Sequence, residues 1–161
     1  MGIGIDNKLP WRLKDDMQYF QYVTTTAEPG KVNAVIMGRK TWESLPEKSR
    51  PLKDRVNIVL SRGYADVPVG VLVVNSLEDA LSELWHDETV DKIFVIGGAS
   101  VYAQALNHPD CDRIYLTEVM DKFECDAFFP KIDESVFKVI EATEPHTEKG
   151  VKFRFLVYGR K

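Results

Sequence analysis

Short apolar runs alternate with stretches of helical periodicity along most of the chain. Runs rich in β-branched residues predict seven strands, at residues 33–37, 56–61, 71–74, 92–96, 113–119, 137–142 and 152–158. Apolar residues at helical spacing predict four helices, at residues 13–24, 41–44, 76–85 and 99–106. Strands that alternate with helices in this way are typical of an α/β protein with a largely parallel sheet.

The last third of the chain has a different pattern. No clear helix follows residue 113, so the strands there are expected to return antiparallel at one edge of the sheet. Ser76 and Asp79 have the spacing of a capping box, which marks the start of the third helix. We therefore expect residues 1–161 to form a single α/β domain. Its central, mostly parallel sheet would have antiparallel C-terminal edge strands and about four flanking helices.

Composition sets limits on partners and location. The chain has 161 residues, the size of one domain, and its hydrophobic share of 44% and charged share of 29% are those of a globular protein. The net charge of −4 argues against binding to a nucleic-acid backbone. The first residues do not form a secretory signal, and no apolar run is long enough to span a membrane. We expect a cytoplasmic protein with no nucleic-acid or membrane partner.

The cysteines and histidines give no sign of a disulfide framework or a metal site. Cys111 and Cys125 do not form a Cys-x-x-Cys pair and are too few for a disulfide scaffold, so free thiols are expected. His86, His108 and His146 lie far apart in sequence and lack metal-ligand spacing. We expect these three histidines on the surface, and no metal.

The first predicted helix carries a carboxylate on its apolar stripe. Leu13, Met17 and Phe20 follow helical spacing, and Asp16 falls on the same face. A buried carboxylate must be paired, be protonated or contact a polar ligand. Alternatively, Asp16 and its neighbour Asp15 only complement the helix dipole. The pattern leaves both interpretations open.

Three predicted strands end in residues suited to phosphate groups, and the carboxyl ends of parallel strands meet at one edge of a sheet. These residues are Gly38-Arg39-Lys40-Thr41, Ser61-Arg62 and Gly97-Gly98-Ala99-Ser100. Each motif alone is weak, because tight turns use glycine whether or not a ligand binds. Together they predict a dinucleotide site. The cations, without an acidic residue after the glycines, favour NADP over NAD.

Arg55 has two interpretations. It follows Asp54 directly, and such neighbours are commonly surface ion pairs of little energetic value. Alternatively, its planar guanidinium binds a substrate carboxylate with two hydrogen bonds.

Blocks of residues recur in order along the chain: Leu9-Pro10-Trp11, Asp16, Phe20, residues 35–42, Arg50-Pro51-Leu52, residues 57–62 and Ile96-Gly97-Gly98. In this order and at this spacing they resemble the dihydrofolate reductase family, animal type, over essentially the whole chain. The resemblance implies hydride transfer from NADPH to C6 of 7,8-dihydrofolate with protonation at N5. The product would be tetrahydrofolate for one-carbon metabolism, and the protein would be a monomer that binds antifolates.

The resemblance also implies roles for individual residues. Asp16 and Trp11 would be catalytic, with Asp16 hydrogen-bonded to the pterin ring and a water near Trp11 helping a proton to reach N5. Arg55 would hold the α-carboxylate of the substrate's glutamate tail. The substrate-binding residues would be Asp16, Met17, Phe20, Gln21, Leu45, Pro46, Leu52, Arg55, Ile96 and Tyr102, with Ile96 offering its carbonyl to the pterin.

For the cofactor, the resemblance implies a second set of residues. The cofactor-binding residues would be Ile3, Gly4, Leu9, Gly38, Arg39, Lys40, Thr41, Leu60, Ser61, Arg62, Gly97, Gly98, Ala99, Ser100, Val101 and Tyr102. The Gly97-Gly98 turn, a cis peptide in the family, would meet the pyrophosphate, and Tyr102 would lie beside the nicotinamide. The loop over residues 2–8 would close over the nicotinamide.

The chain departs from the family's pattern in three ways. Ala127 stands where the family usually has a threonine that supports the acid, so we expect a perturbed acid or an extra water. Asn75 replaces a frequent cationic contact near the adenosine, so the 2′-phosphate would depend more on Arg39 and Arg62. An apolar strand normally precedes the segment that matches Met1, and without it we expect an unstable or poorly active chain unless something fills its place.

Two other functions remain open at this point. One is a catalytically weak or inactive relative that keeps the folate and NADP contacts. The other is a different NADPH reductase on the same fold, such as the pyrimidine reductases of riboflavin synthesis. Asp16 and Arg55 argue against the latter, because a ribityl phosphate substrate would need neither arrangement.

Overall fold

The computed structural model describes residues 2–4, 14–120, 127–128 and 130–161. The elements in chain order are β1 (Gly2–Gly4), α1 (Lys14–Thr25), β2 (Val32–Gly38), α2 (Arg39–Ser44), β3 (Arg55–Leu60), β4 (Leu72–Val74), α3 (Leu77–Trp85), β5 (Val90–Val95), α4 (Ala99–Leu106), β6 (Arg113–Val119), β7 (Ala127–Phe128), β8 (Phe137–Ala142), β9 (His146–Glu148) and β10 (Val151–Arg160). All predicted strands and helices are present, with ends that shift by at most two residues. The strands β1, β7 and β9 were not predicted, because they are too short to show an alternating pattern.

Backbone contacts divide the chain into two compact units, one of residues 19–105 and one that combines residues up to 18 with residues 106–161. In the first unit the strands form a four-stranded parallel sheet in the order β4-β3-β2-β5. Residues 34–37 of β2 have no exposed surface, as expected of a parallel strand covered on both faces. The continuous apolar run of β2 therefore reflects its central place in the sheet.

The two faces of this sheet carry separate apolar clusters. One face packs against α3, and its buried residues are Ala34, Ile36, Ile58, Leu77, Ala80, Leu81 and Leu84. The other face contains Val35, Met37, Trp42 and Val59. The start of α3 is as predicted, because the Ser76 hydroxyl accepts the Asp79 N–H at 3.1 Å.

The second unit is antiparallel. Its main sheet has the order β6-β10-β8, with β9 also paired to β10, and β1 pairs with β7 in a two-stranded ladder. Its apolar cluster contains Ile114, Ile132 and Phe137, and Phe153 is fully buried. The predicted antiparallel C-terminal strands are therefore present.

The α/β fold class is confirmed, and the structure adds detail to the sheet. The sequence pattern predicted antiparallel strands at an edge of one central sheet. Within the described residues, the parallel strands make one hydrogen-bonded sheet, β6, β8, β9 and β10 make a second, and β1 and β7 make a separate two-stranded ladder. Across the same residues, no helix is both long enough and apolar enough to cross a bilayer.

Candidate functional site

Asp16 lies in the first turn of α1 and has a specific partner on β6. The Thr117 hydroxyl donates a hydrogen bond of 2.6 Å to the Asp16 Oδ1 atom. Asp16 is half-buried, so its carboxylate is neither a freely solvated helix-dipole charge nor a fully buried ion. The structure thus supports the interpretation in which this carboxylate is paired.

Contrary to the prediction, the apolar stripe beside Asp16 is not buried. Met17 is 58% exposed and Phe20 is 37% exposed, whereas the buried residue of α1 is Thr24. Helical spacing identifies the residues that share a face, but it does not show what covers that face. Large exposed apolar side chains beside a partnered carboxylate are suited to contact with a ligand.

Thr117 also corrects the expectation attached to Ala127. That expectation assumed that Asp16 lacks a hydroxyl partner, but Thr117 supplies one from β6. The backbone of Ala127 lies in β7, opposite Gly4, and its side chain lies outside the described residues. The hydroxyl was missed because Thr117 is 101 positions from Asp16 in sequence.

Arg55 is held in place at the start of β3. Its Nη1 donates to the Thr24 hydroxyl at 2.9 Å, and its Nε donates to the Lys53 carbonyl at 2.8 Å. Burial lowers the pKa of Arg55 and the negative charge of Asp54 opposes this shift, although both effects leave the guanidinium charged. Asp54 and Arg55 both belong to the described residues and form no ion pair with each other. The interpretation of Arg55 as half of a surface ion pair with Asp54 therefore fails.

Asn57 is a buried residue that the sequence analysis did not single out. Its side-chain amide donates to the carbonyls of Leu52 and Arg55 at 2.9 Å, and its Oδ1 accepts the Leu52 N–H at 2.9 Å. Asn57 is only 3% exposed. Because a buried amide must be hydrogen-bonded, an asparagine inside an apolar strand run is a usable signal for such a role. Asn57 therefore fixes the turn that carries Leu52 and Arg55, which are both predicted substrate-binding residues.

The two predicted glycine turns come together at the carboxyl ends of β2 and β5. The Gly38 N–H donates to the Gly97 carbonyl at 2.8 Å, and the Gly97-Gly98 peptide is cis, as the family resemblance implied. A Cβ atom on Gly97 would lie 3.4 Å from both the Thr41 hydroxyl and the Tyr102 hydroxyl. This turn favours glycine, because Gly97 has φ of 127° and any side chain there would contact Thr41 and Tyr102.

The third predicted strand end lies next to the first. Leu60 is paired with Gly38 in the parallel ladder, so Ser61 follows at the same edge of the sheet. The Ser61 N–H donates to the Val74 carbonyl at 2.9 Å, and the Ser61 hydroxyl accepts the Gly63 N–H at 3.3 Å. Arg39, Lys40 and Arg62 are exposed around these turns.

The edge of this sheet therefore has residues suited to the phosphate groups of a dinucleotide. Two glycine turns present backbone atoms, Thr41 and Ser61 present hydroxyls, and three exposed cations flank them. Such a combination suits the phosphates of a dinucleotide better than an apolar or cationic ligand.

The other predicted residues have varied surroundings. Leu45, Leu52 and Ile96 are half-buried and pack against the apolar cluster that contains Trp42. The Ile96 N–H donates to the Ile36 carbonyl. Leu60 packs on the opposite cluster. Gln21, Pro46, Asn75 and Ser100 are exposed, whereas Ala99 is half-buried and Val101 is buried.

The beginning of the chain is described only in part. Leu9 and Trp11 lie outside the described residues, and so do residues 5–8 of the loop predicted over residues 2–8. Gly2–Gly4, which contains Ile3 and Gly4, is the strand β1 rather than a loop. The family resemblance implied a loop here, but antiparallel pairing with Ala127–Phe128 gives this backbone its hydrogen bonds.

Of the three histidines, His86 is exposed as predicted, whereas His108 and His146 are half-buried. The His108 Nδ1 atom accepts the Asp110 N–H at 3.1 Å, and the His146 ring packs 4.2 Å from the Phe153 ring. Burial raises the pKa of the free Cys111 thiol. In the part of the chain that the structure describes, no three His, Cys, Asp or Glu side chains are placed to hold a metal ion.

Comparison with known proteins points in one direction. The family model described as Dihydrofolate reductase matches residues 1–160. The dihydrofolate reductase of Heliothis virescens is 46% identical, over 99% of this chain and 89% of that protein. The dihydrofolate reductase of Rattus norvegicus is 47% identical, over 100% of this chain and 92% of that protein.

A relative of different architecture shows the same similarity. The bifunctional dihydrofolate reductase-thymidylate synthase of Daucus carota is 47% identical over 99% of this chain, which corresponds to 32% of that longer protein. A family match over nearly every residue, together with the partnered Asp16 and the paired glycine turns, leads to one assignment. This chain belongs to the dihydrofolate reductase family.

Proposed function

We propose that this protein reduces 7,8-dihydrofolate to 5,6,7,8-tetrahydrofolate. NADPH, when bound, supplies the hydride that C6 receives, and N5 receives a proton. The observation that carries the proposal is the Asp16 carboxylate, which is held by the Thr117 hydroxyl at 2.6 Å beside the exposed Met17 and Phe20 side chains. The family membership supplies the reaction class.

Asp16 orients the pterin and assists its protonation. A carboxylate accepts several hydrogen bonds, so the bond from Thr117 fixes its plane while other lone pairs accept the N–H donors of a pterin ring. Met17 and Phe20 offer apolar surface on the same helix to the flat ring system. We propose that Trp11 and a water complete the proton path to N5, with Asp16 as the acidic group.

The glycine turns and their flanking residues hold the cofactor. Gly38, Gly97 and Gly98 bring backbone to the pyrophosphate, and Thr41 and Ser61 offer hydroxyls. Arg39, Lys40 and Arg62 supply positive charge for the 2′-phosphate, which distinguishes NADPH from NADH. Tyr102 lies against Gly97 and borders the same turn.

Arg55 binds the α-carboxylate of the glutamate tail, so Arg55→Gln raises KM for dihydrofolate by about 10–100-fold with little change in kcat. The substitution keeps a polar side chain near Thr24 but removes the charge and the paired donors. Steady-state kinetics with dihydrofolate and with a dihydropterin that lacks the glutamate tail measure the effect. KM for the tail-less substrate is expected to stay the same, and an equal rise for both substrates would contradict this role.

The proposed function is tested by the loss of NADPH absorbance on addition of dihydrofolate, with and without a diaminopyrimidine antifolate. Turnover that requires dihydrofolate and stops with the antifolate is the expected result. The alternative, a folate- and NADP-binding relative with weak or no catalysis, predicts tight binding of both ligands without turnover. The intact Asp16 and Arg55 sites favour the enzyme.

The finer properties follow as part of the same proposal. Residues 1–161 act as one dihydrofolate reductase domain, as a monomer in the cytoplasm. Dihydrofolate and antifolates are its small-molecule partners, and its activity requires neither nucleic acid nor a membrane. The net charge of −4 and the ordinary globular composition support this.

A further inference from the structure

The start of α1 is capped by a side chain from a distant strand. Glu148 of β9 accepts the Lys14 N–H at Oε2, at 2.5 Å, and the Asp15 N–H at Oε1, at 2.8 Å. The first N–H groups of a helix have no partner within the helix, and a negative charge there is favourable. These bonds hold the pKa of Glu148 below its usual value, and the bond from the Asp15 N–H has the larger effect on that pKa.

Glu148 lies at the end of β9, next to the tight turn of a hairpin. β9 and β10 pair antiparallel with Glu148 opposite Val151, and the two-residue turn between them has positive φ at Lys149 (51°) and Gly150 (77°). The His146 ring packs edge-on against Phe153, which is fully buried. The base of this hairpin is therefore anchored in the core of its unit.

The strand β10 connects this hairpin to the partner of Asp16. Phe155 of β10 is paired with Thr117, whose hydroxyl binds the Asp16 carboxylate. The backbone before Asp16 is therefore attached to β9, and its side chain is attached to β6. Both strands are hydrogen-bonded to β10, so one sheet fixes the acid at two points.

We propose that Glu148 is a positioning residue for the reduction. It holds the first turn of α1, so that Asp16 keeps its bond to Thr117 and its orientation toward the pterin. This inference rests on the proposed function. Hydrogen-bond catalysis depends steeply on geometry, so a first turn that frays or rotates lowers the rate without removing any group that touches the substrate.

The test compares Glu148→Ala, Glu148→Gln and the matched control Glu144→Ala, an exposed carboxylate in the same unit, after β8. We expect kcat for dihydrofolate to fall by about five- to tenfold in Glu148→Ala, with KM for NADPH unchanged. Glu148→Gln restores much of the rate, because its amide oxygen still accepts one N–H, and it ends within about threefold of the unsubstituted protein. Glu144→Ala keeps the full rate.

Each result has a definite meaning. If the unsubstituted protein is active and Glu148→Ala matches it, the positioning role is refuted. If Glu148→Gln is as slow as Glu148→Ala, hydrogen bonding to the α1 backbone is not what Glu148 contributes, and the proposal also fails. A chain that reduces no dihydrofolate before any substitution refutes the proposed function itself, and with it any catalytic contribution from Glu148.

Discussion

Asp16→Asn lowers kcat for dihydrofolate reduction by about 10²–10⁴-fold, the usual range for loss of a general acid–base group. The amide is the same size and still accepts the Thr117 hydroxyl, so the helix and its contact with β6 are kept. What is lost is the negative charge that meets the pterin donors and the ability to exchange a proton. The effect is measured by steady-state kinetics at saturating NADPH and dihydrofolate.

Asp112→Asn is the control for this substitution. Asp112 is an exposed carboxylate just before β6. Its substitution therefore changes the net charge by the same amount as Asp16→Asn does, and in the same unit. We expect it to retain the full kcat, and both variants to keep the thermal midpoint of the unsubstituted protein within a few degrees. A kcat for Asp16→Asn above about a tenth of the original value would exclude Asp16 as the proton-donating group.

Gly97→Ala is expected to damage both folding and cofactor binding. Gly97 has φ of 127°, a conformation that side chains disfavour, and forcing one there costs about 1–3 kcal/mol. Its new Cβ atom would also contact the Thr41 and Tyr102 hydroxyls at 3.4 Å, at the turn proposed to hold the pyrophosphate. We expect a lower free energy of unfolding by about that amount, and a KM for NADPH that rises by about tenfold or more.

Gly63→Ala gives the matched comparison. No atom lies within 4 Å of a Cβ built on Gly63, and its φ is not in the positive region. It should therefore leave stability within about 0.5 kcal/mol of the original and KM unchanged. Chemical denaturation and NADPH titration of the two variants separate the local strain at Gly97 from a general intolerance of alanine. Equal behaviour of the two variants would contradict the role assigned to the Gly97 turn.

Much of the fold could be predicted because its signals are local. The parallel strands are continuous apolar runs, which only a sheet covered on both faces requires, and β2 is indeed fully buried from Ala34 to Met37. The glycine turns could be predicted for the same reason, because an apolar strand run followed by glycine and then by a helical pattern is a local sequence signal. Their meeting at one edge follows from parallel topology, and the bond from Gly38 to Gly97 is its result.

Other features could not be predicted from local pattern. The exposure of Met17 and Phe20 depends on what lies beside α1, and helical spacing carries no information on that. A polar residue in an apolar strand was a usable signal that Asn57 has a structural role. No local signal showed that its partners are Leu52 and Arg55. The pairing of β1 with β7 joins segments too short to show a period.

The sequence by itself determined the α/β class, the positions of the main strands and helices, the three strand-end motifs and the acid on the first helix. Only the tertiary structure decided how that acid is held. Thr117 is 101 residues from Asp16, and Glu148 is 133 residues from Asp15. Hydrogen bonds over such separations depend on the register of β6, β9 and β10 against one another, and that register is set by packing across the sheet and not by any local pattern.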